Sequence, residues 1–291
     1  MSDIKPEGEQ QGTGVIQSTL HEITQPFIDV VHASRALWGI NLSYLLEGLT
    51  YFGVVGLLAI YFNDFIGLND IDAGRMVGVL TAGITISMLF LGATVDLIGP
   101  RKAILISLVF MLIGRILLTV SPNLFHTTGM WSSAHLVAMG GILGVIIGYG
   151  IYQPACYAAV KFFSTGKNAA MGYAMLYALM NLGGFLPGLI SPPVRHSFGI
   201  LGVFWVYAVL TVVGIGVIMI LLTKKAIKQA QEESGWTNAQ TELETKKPAM
   251  EQLKFYMKNF PMKDKRFMFF IFILIPVQTL FAHNWLTLPQ Y

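Results

Sequence analysis

The chain has 291 residues, 54% of them hydrophobic and only 12% charged. A soluble domain carries about twice that charged fraction, so a water-soluble globule is excluded. The formal charge of +3 is too small to point to a nucleic-acid partner, and the single cysteine, Cys156, leaves no internal disulfide.

In chain order, residues 1–35 form a polar tail, acidic at Asp3, Glu7 and Glu9, which argues against a cleavable signal peptide. Ile16, Leu20, Ile23 and Phe27 share one helical face there, with Pro26 as an interruption, and predict an amphipathic segment on the inner membrane surface. Apolar runs follow, each long enough for a bilayer that takes about 20 helical residues to cross. They lie near 36–62, 76–98, 103–121, 134–160, 169–193 and 201–223, and make a six-span bundle over 36–223. Residues 224–266 read as a polar, solvated linker from Gln229 onward. Met250, Leu253, Met257 and Phe260 in it share a face and predict a second interfacial helix. A seventh span begins at 267 and runs to Tyr291, where it is cut off with no polar flank after it.

Charge sets the orientation. Lys5, Arg35, Arg101, Lys102, Lys161, Lys167 and the ten Lys and Arg residues from Lys224 to Arg266 fall on one side. The other side has only Arg75 and Arg195. The positive-inside rule therefore predicts a cytoplasmic N-terminus and a cytoplasmic 224–266 loop in a multi-pass plasma membrane protein, the inner membrane if the source is bacterial.

The first span carries Asn41, Tyr44, Glu47 and Tyr51 at steps of three and four, hence on one face. Glu47 is the only acid deep in a span. An ionised carboxylate is costly there, so Glu47 is expected to face water, meet a cation or take up a proton. A structural, permanently protonated Glu is the competing reading. The fourth span lines up Tyr149, Tyr152, Gln153, Cys156 and Tyr157, a hydroxyl- and amide-bearing face suited to a solute cavity. Cys156 itself reads as an inert packing residue. Gly140, Gly144 and Gly148 form a second stripe for close helix packing, and Pro154 frees a backbone carbonyl in mid-span. The fifth span adds Tyr173, Tyr177 and Asn181, with Tyr173 expected to anchor at the interface. Arg115 lies in the third span at a depth similar to that of Glu47, about 18–20 Å from the inner edge. Pairing with Glu47 is one option; snorkelling to the outer surface is the simpler expectation. His283, with Gln278, Thr279 and Asn284, is a candidate for the same cavity or a satisfied structural residue.

Between the second and third spans stands Gly92-Ala-Thr-Val-Asp96-Leu-Ile-Gly99-Pro-Arg101-Lys102. Asp96 there faces the negative end of its own helix and needs compensation from a cation or another helix N-terminus. This stretch resembles the loop signature of the major facilitator superfamily, with Pro100 in place of its first basic residue. The resemblance implies a cytoplasmic gate formed by Gly92, Asp96, Gly99 and Arg101; the plainer reading is that the basic residues only set topology. It also implies an all-α integral membrane fold, in which these six spans are the N-terminal bundle of a twelve-span plan.

Further stretches are similar to the proton-dependent oligopeptide transporter branch. Glu47-Gly-Leu-Thr-Tyr-Phe-Gly53 looks like that branch's Glu-Arg-Phe-Ser-Tyr-Tyr-Gly segment. Gly114-Arg115-Ile-Leu-Leu-Thr-Val-Ser-Pro122 ends a stretch with its second-to-third-span pattern. Gly148-Tyr-Gly150-Ile-Tyr-Gln153-Pro154 looks like its Gly-x-Gly-x-x-Lys-Pro, and Tyr177-Ala-Leu-Met-Asn181-Leu-Gly183 like its fifth span. Three departures stand out: Tyr44 replaces an acid, Gly48 an arginine and Gln153 a lysine. Glu47 is thereby left without an evident cation, which predicts easy protonation and weak recognition of a free substrate carboxylate by this half.

The function expected is secondary transport of a small organic solute, coupled to protons through Glu47 by symport. Its partners are the solute, protons, the lipid bilayer and a C-terminal bundle that this sequence does not contain. No cofactor, metal or enzymatic activity is expected. Efflux by proton antiport and an inactive half-transporter are the alternatives. A seven-span receptor fits the span count but not a cytoplasmic N-terminus.

Overall fold

The structure is a computed structural model that describes residues 28, 31–166, 168–235, 264–266, 268–274 and 276. The interfacial segment at Ile16–Phe27, Lys167, the Met250–Phe260 face and His283 with its polar neighbours lie outside the described residues. Among those residues every regular element is helical.

Capping side chains define several helix starts. Ser34 accepts from the Leu37 amide at 3.3 Å and opens α1 (Arg35–Asp64). Asn69 accepts from the Asp72 amide at 2.9 Å and opens α2 (Asp70–Leu91), whose first turn carries Asp70 and Asp72 against the positive end of the dipole. A short helix, α3 (Thr94–Ile98), follows after Gly92 and Ala93. Pro100 occupies the first turn of α4 (Pro100–Leu124), where its missing N–H costs nothing. Ser132 caps α5 (Ser133–Phe163) through the His135 amide. Then come α6 (Ala169–Phe185) and α7 (Pro187–Leu221).

The fifth and sixth spans follow one another within a helical segment of 53 residues, Ala169–Leu221. Leu186, between α6 and α7, keeps right-handed helical angles, so the fifth span runs on past it. The true turn is at Gly199, with φ 68° and ψ −175°, a conformation that a side chain would strain. The second span likewise runs on from α2 into α3, since Gly92 and Ala93 keep right-handed helical angles.

The bundle pairs its spans symmetrically. The first span, α1, packs against α6 and α7; the fourth, α5, packs against α4 and α2. A three-plus-three arrangement of this kind is the repeat found within one half of a twelve-span transporter. Small residues set the closest approaches. A Cβ on Gly183 of α6 would lie 2.7 Å from the Leu49 nitrogen of α1, and one on Gly141 of α5 would lie 2.7 Å from the Gly114 carbonyl of α4. Gly144 and Gly148 also abut α4, whereas Gly140 faces open space. Gly141 thus takes the place the sequence reading gave to Gly140. A four-residue repeat drifts around a helix of about 3.6 residues per turn, and the spacing 141, 144, 148 keeps closer to one face.

One segment read as linker is ordered. Residues Lys224–Ser234 form a helix, α8, capped by Thr223 and ended by Gly235 in the left-handed conformation. It lies against α5 and α1. Ala230 is buried, and the Ser234 hydroxyl donates to the Phe162 carbonyl at 3.2 Å. The polar composition concealed this because only a narrow stripe of the helix is apolar.

Candidate functional site

Glu47 is 2% exposed in the interior of the bundle. Its carboxylate meets the Arg115 guanidinium of α4 in a fork: Arg115 Nη1 donates to Oε2 at 3.0 Å and Nη2 donates to Oε1. The Tyr149 hydroxyl of α5 donates to the same Oε1. Arg115 Nη1 also donates to Thr211 Oγ1 of α7 at 2.5 Å, and the Thr211 hydroxyl donates in turn to the Tyr207 carbonyl at 2.9 Å. The first, third, fourth and sixth spans therefore converge on one charge pair.

Arg115 does not snorkel. It is 2% exposed, because its stretch of α4 faces inward along with Leu108, Met111 and Leu118. Snorkelling serves an arginine that faces lipid near a span end. Here a bidentate carboxylate and a hydroxyl lie within reach, and a paired, hydrogen-bonded charge is the form in which a buried guanidinium is tolerated. The expectation that Glu47 lacks a cation in this half is overturned as well. Arg115 supplies from the third span what Gly48 and Gln153 do not, and the argument for easy protonation loses its premise.

A tyrosine wall extends from this pair. Tyr51 meets Tyr149 with ring centroids 5.0 Å apart. Tyr152 stacks on Tyr44 at 5.9 Å, and its hydroxyl is hydrogen-bonded to Ser43 Oγ at 2.8 Å. Tyr44 meets Tyr157 edge-on at 6.3 Å, and Tyr157 stacks on Tyr173 at 6.1 Å. The structure thus draws Tyr173, read from sequence as an interfacial anchor, into contact with the fourth span. Cys156 is buried beneath this wall. Asn41 is fully buried; its Nδ2 donates to the Leu37 carbonyl at 3.0 Å, and its Oδ1 has no protein partner. Gln153 is half-buried.

Tyr177 and Asn181 are not brought to this network. Both are exposed on α6, Tyr177 to 66%, and Asn181 Nδ2 donates to the Tyr177 carbonyl at 2.8 Å. The loop signature occupies the opposite end from the capped start of α5. A Cβ on Gly92 would lie 3.4 Å from Pro154 Cγ, so the two sequence signatures meet in space. Asp96 is exposed and sits in the first turn of α3. Gly92 and Ala93 before it keep right-handed helical angles, so Asp96 stays near the C-terminal end of the second span. Gly99, at φ 79°, reverses the chain into α4, and Arg101 stands half-buried in the first turn there.

Sequence reasoning missed Thr211 and Ser43. Each is a hydroxyl residue on a mostly apolar stretch, a common element of spans whose oxygen can be satisfied by its own backbone. Only the neighbouring helices give these two a further partner.

The model of the Major Facilitator Superfamily matches residues 40–290. Among curated proteins, the chain is 21% identical over 222 residues to the inner membrane transport protein YajR of Escherichia coli (strain K12), covering 76% of this chain and 46% of that protein. It is 22% identical over 188 residues to dipeptide and tripeptide permease A of Proteus mirabilis (strain HI4320), covering 62% and 36%. Among solved structures, it superposes on a peptide transporter POT in complex with sulfate with a TM-score of 0.57 at 17% identity, covering 88% of this chain and 48% of that one. A POT family transporter in complex with 5-aminolevulinic acid gives 0.57 at 20% identity, covering 86% and 48%. The chain spans about half the length of the relatives it matches, and at these identities the structures speak for the fold alone. A three-plus-three bundle, its loop signature packed on the fourth span and a family match over most of the sequence lead to one assignment: this chain belongs to the Major Facilitator Superfamily.

Proposed function

We propose that this chain supplies the N-terminal bundle of a secondary transporter that takes up a small, peptide-sized organic solute together with protons. The observation that carries the reading is the Glu47–Arg115 pair, held by Tyr149 and Thr211 where four spans meet. Such a pair has two states. With Glu47 ionised, both charges are compensated. With Glu47 protonated, the guanidinium keeps hydroxyl and carbonyl acceptors but loses its anion, and the surrounding helices must readjust. Charge in the interior of a membrane protein marks proton or solute pathways far more often than it marks stability.

Alternating access then follows from population shift. A proton that binds more tightly in one orientation of the bundles biases the equilibrium toward it by its differential affinity, and by no more. Gly92, Asp96, Gly99 and Arg101 belong in this reading to the cytoplasmic gate. Tyr51, Tyr157 and Gln153, with Tyr177 and Asn181, belong to the wall facing the second bundle, and Asn41, Tyr44 and Tyr152, buried inside this bundle, lie behind it. The orientation proposed has the N-terminus and α8 in the cytoplasm, as the basic residues require.

The test is accumulation of radiolabelled dialanine by membrane vesicles containing the whole transporter, with an imposed inward proton gradient. Uptake driven by the gradient and abolished in Glu47→Gln is the expected result. Gradient-driven uptake that is unchanged in Glu47→Gln removes Glu47 from the mechanism.

A further inference from the structure

Outside the carboxylate, Arg115 Nη1 has an acceptor on the sixth span. Thr211 Oγ1 takes a hydrogen bond from Arg115 Nη1 at 2.5 Å while donating to the Tyr207 carbonyl at 2.9 Å. The hydroxyl is thereby fixed with its lone pairs toward the guanidinium, and Thr211 is 1% exposed. Tyr207 is anchored in turn: its hydroxyl is hydrogen-bonded to Ser191 at 2.6 Å, and its ring lies against Gly53 of α1, where a Cβ would overlap it. The sixth span is thus braced so that one hydroxyl oxygen points at the cation.

We infer that Thr211 is a positioning residue that sets the acidity at which Glu47 gains its proton. The inference rests on the reading of Glu47 as a proton-exchanging group. Arg115 Nη1 carries two N–H groups and donates to both Thr211 Oγ1 and Glu47 Oε2. When Glu47 is protonated, Thr211 remains as an oriented acceptor and limits the cost of an unmatched guanidinium. When Glu47 is ionised, the same oxygen is a second negative pole on the cation that the carboxylate shares. Both effects have one sign: Thr211 favours the protonated acid. The groups facing the carboxylate are Arg115 from α4 and Tyr149 from α5, with Tyr152 and Cys156 of α5 also within electrostatic reach and Thr211 of α7 behind Arg115. Packed on its other sides, α6 has no charged residue, and those of α2 stand in its first turns at Asp70, Asp72 and Arg75.

Thr211→Val keeps the shape and removes the acceptor; Thr211→Ser keeps the acceptor. The experiment is a pH titration of the whole protein in lipid nanodiscs by infrared difference spectroscopy. The protonated carboxyl band of Glu47 is assigned by its disappearance in Glu47→Gln, so neither solute nor transport is needed. The expected result is a band whose midpoint moves to lower pH by about one unit in Thr211→Val, the scale on which one differential hydrogen bond shifts a proton equilibrium. Thr211→Ser is expected to match the parent. If the band titrates in the parent but Thr211→Val superimposes on it, the inference fails and the role of Glu47 stands. If Thr211→Ser moves as far as Thr211→Val, the cause is packing and the inference also fails. If no Glu47 band titrates in the parent at any pH at which the protein stays folded, the proton-exchange reading falls and this inference with it.

Discussion

Two polar stripes looked alike as patterns and ended in different surroundings. Asn41, Tyr44 and Glu47 on the first span are buried, and Glu47 is tied to three other helices. Tyr177 and Asn181 on the fifth span are exposed, and Asn181 is bonded only to its own helix. The spacing is equivalent in both, so spacing alone does not decide which stripe is a bundle interior. What separates them is the neighbouring helix. Gly48 and Gly183 let α1 and α6 meet on the face of α6 away from Tyr177, which leaves the tyrosine outside. A polar network inside one bundle holds that bundle together. A polar face outside it has only lipid or a second bundle to meet, and a second bundle is what the proposed transporter requires.

The largest expected effect breaks the inner stripe outright. Arg115→Met strands the Glu47 carboxylate and is expected to destabilise the bundle by about 3–5 kcal/mol, the usual result of removing one member of a buried pair. Thermal unfolding in detergent measures it. The double substitution Glu47→Gln with Arg115→Met is expected to recover most of that loss; a double variant no more stable than Arg115→Met would show that the two charges do not act as a pair.

Next comes the seam that separates the stripes. Gly183→Leu inserts a side chain against the Leu49 nitrogen and Leu45 carbonyl of α1. Overpacking of this kind costs about 1–3 kcal/mol, and here the intruded atoms are backbone and yield least. The same unfolding assay applies. Tyr149→Phe is a finer probe: it deletes one hydroxyl donor to the carboxylate and is expected to cost about 1.5–3 kcal/mol, as for hydrogen bonds to charged groups. A cost below that of Ser43→Ala, which removes a neutral partner of Tyr152, would mean that the Glu47 contact adds nothing.

The smallest effect belongs to the outer stripe. Tyr177→Leu is expected to leave bundle stability within about 0.5 kcal/mol, as substitutions away from packed or paired sites do. Gradient-driven uptake by the whole transporter is expected to fall, since the proposal places Tyr177 at the wall toward the second bundle. Uptake equal to the parent would assign the residue to lipid.

Much of the architecture was open to reading without coordinates. Apolar length located the spans, because hydrocarbon accepts backbone only when its hydrogen bonds are satisfied within the helix. Gly92 and Asp96 marked one loop and Pro154 the span behind it, and their family pattern carried the superfamily assignment. The boundary between fifth and sixth spans was read closely, near 193–201, although the turn itself waits for Gly199. Hidden from that reading were the order of residues 224–234, the role of Gly141 in place of Gly140, and the brace formed by Thr211.

Glu47 and Arg115 show where the division lies. Sequence determined that each is an isolated charge at matching depth, since depth is a count of residues along a helix of fixed rise. It did not determine that they meet. Whether two helices present their charges to one another depends on rotation about each axis and on which helices are neighbours, and both are set by packing among all six spans. The guanidinium fork, the hydroxyl of Thr211 and the outward turn of Tyr177 are therefore properties of the assembled bundle, because each depends on atoms far away in the chain and adjacent only in space.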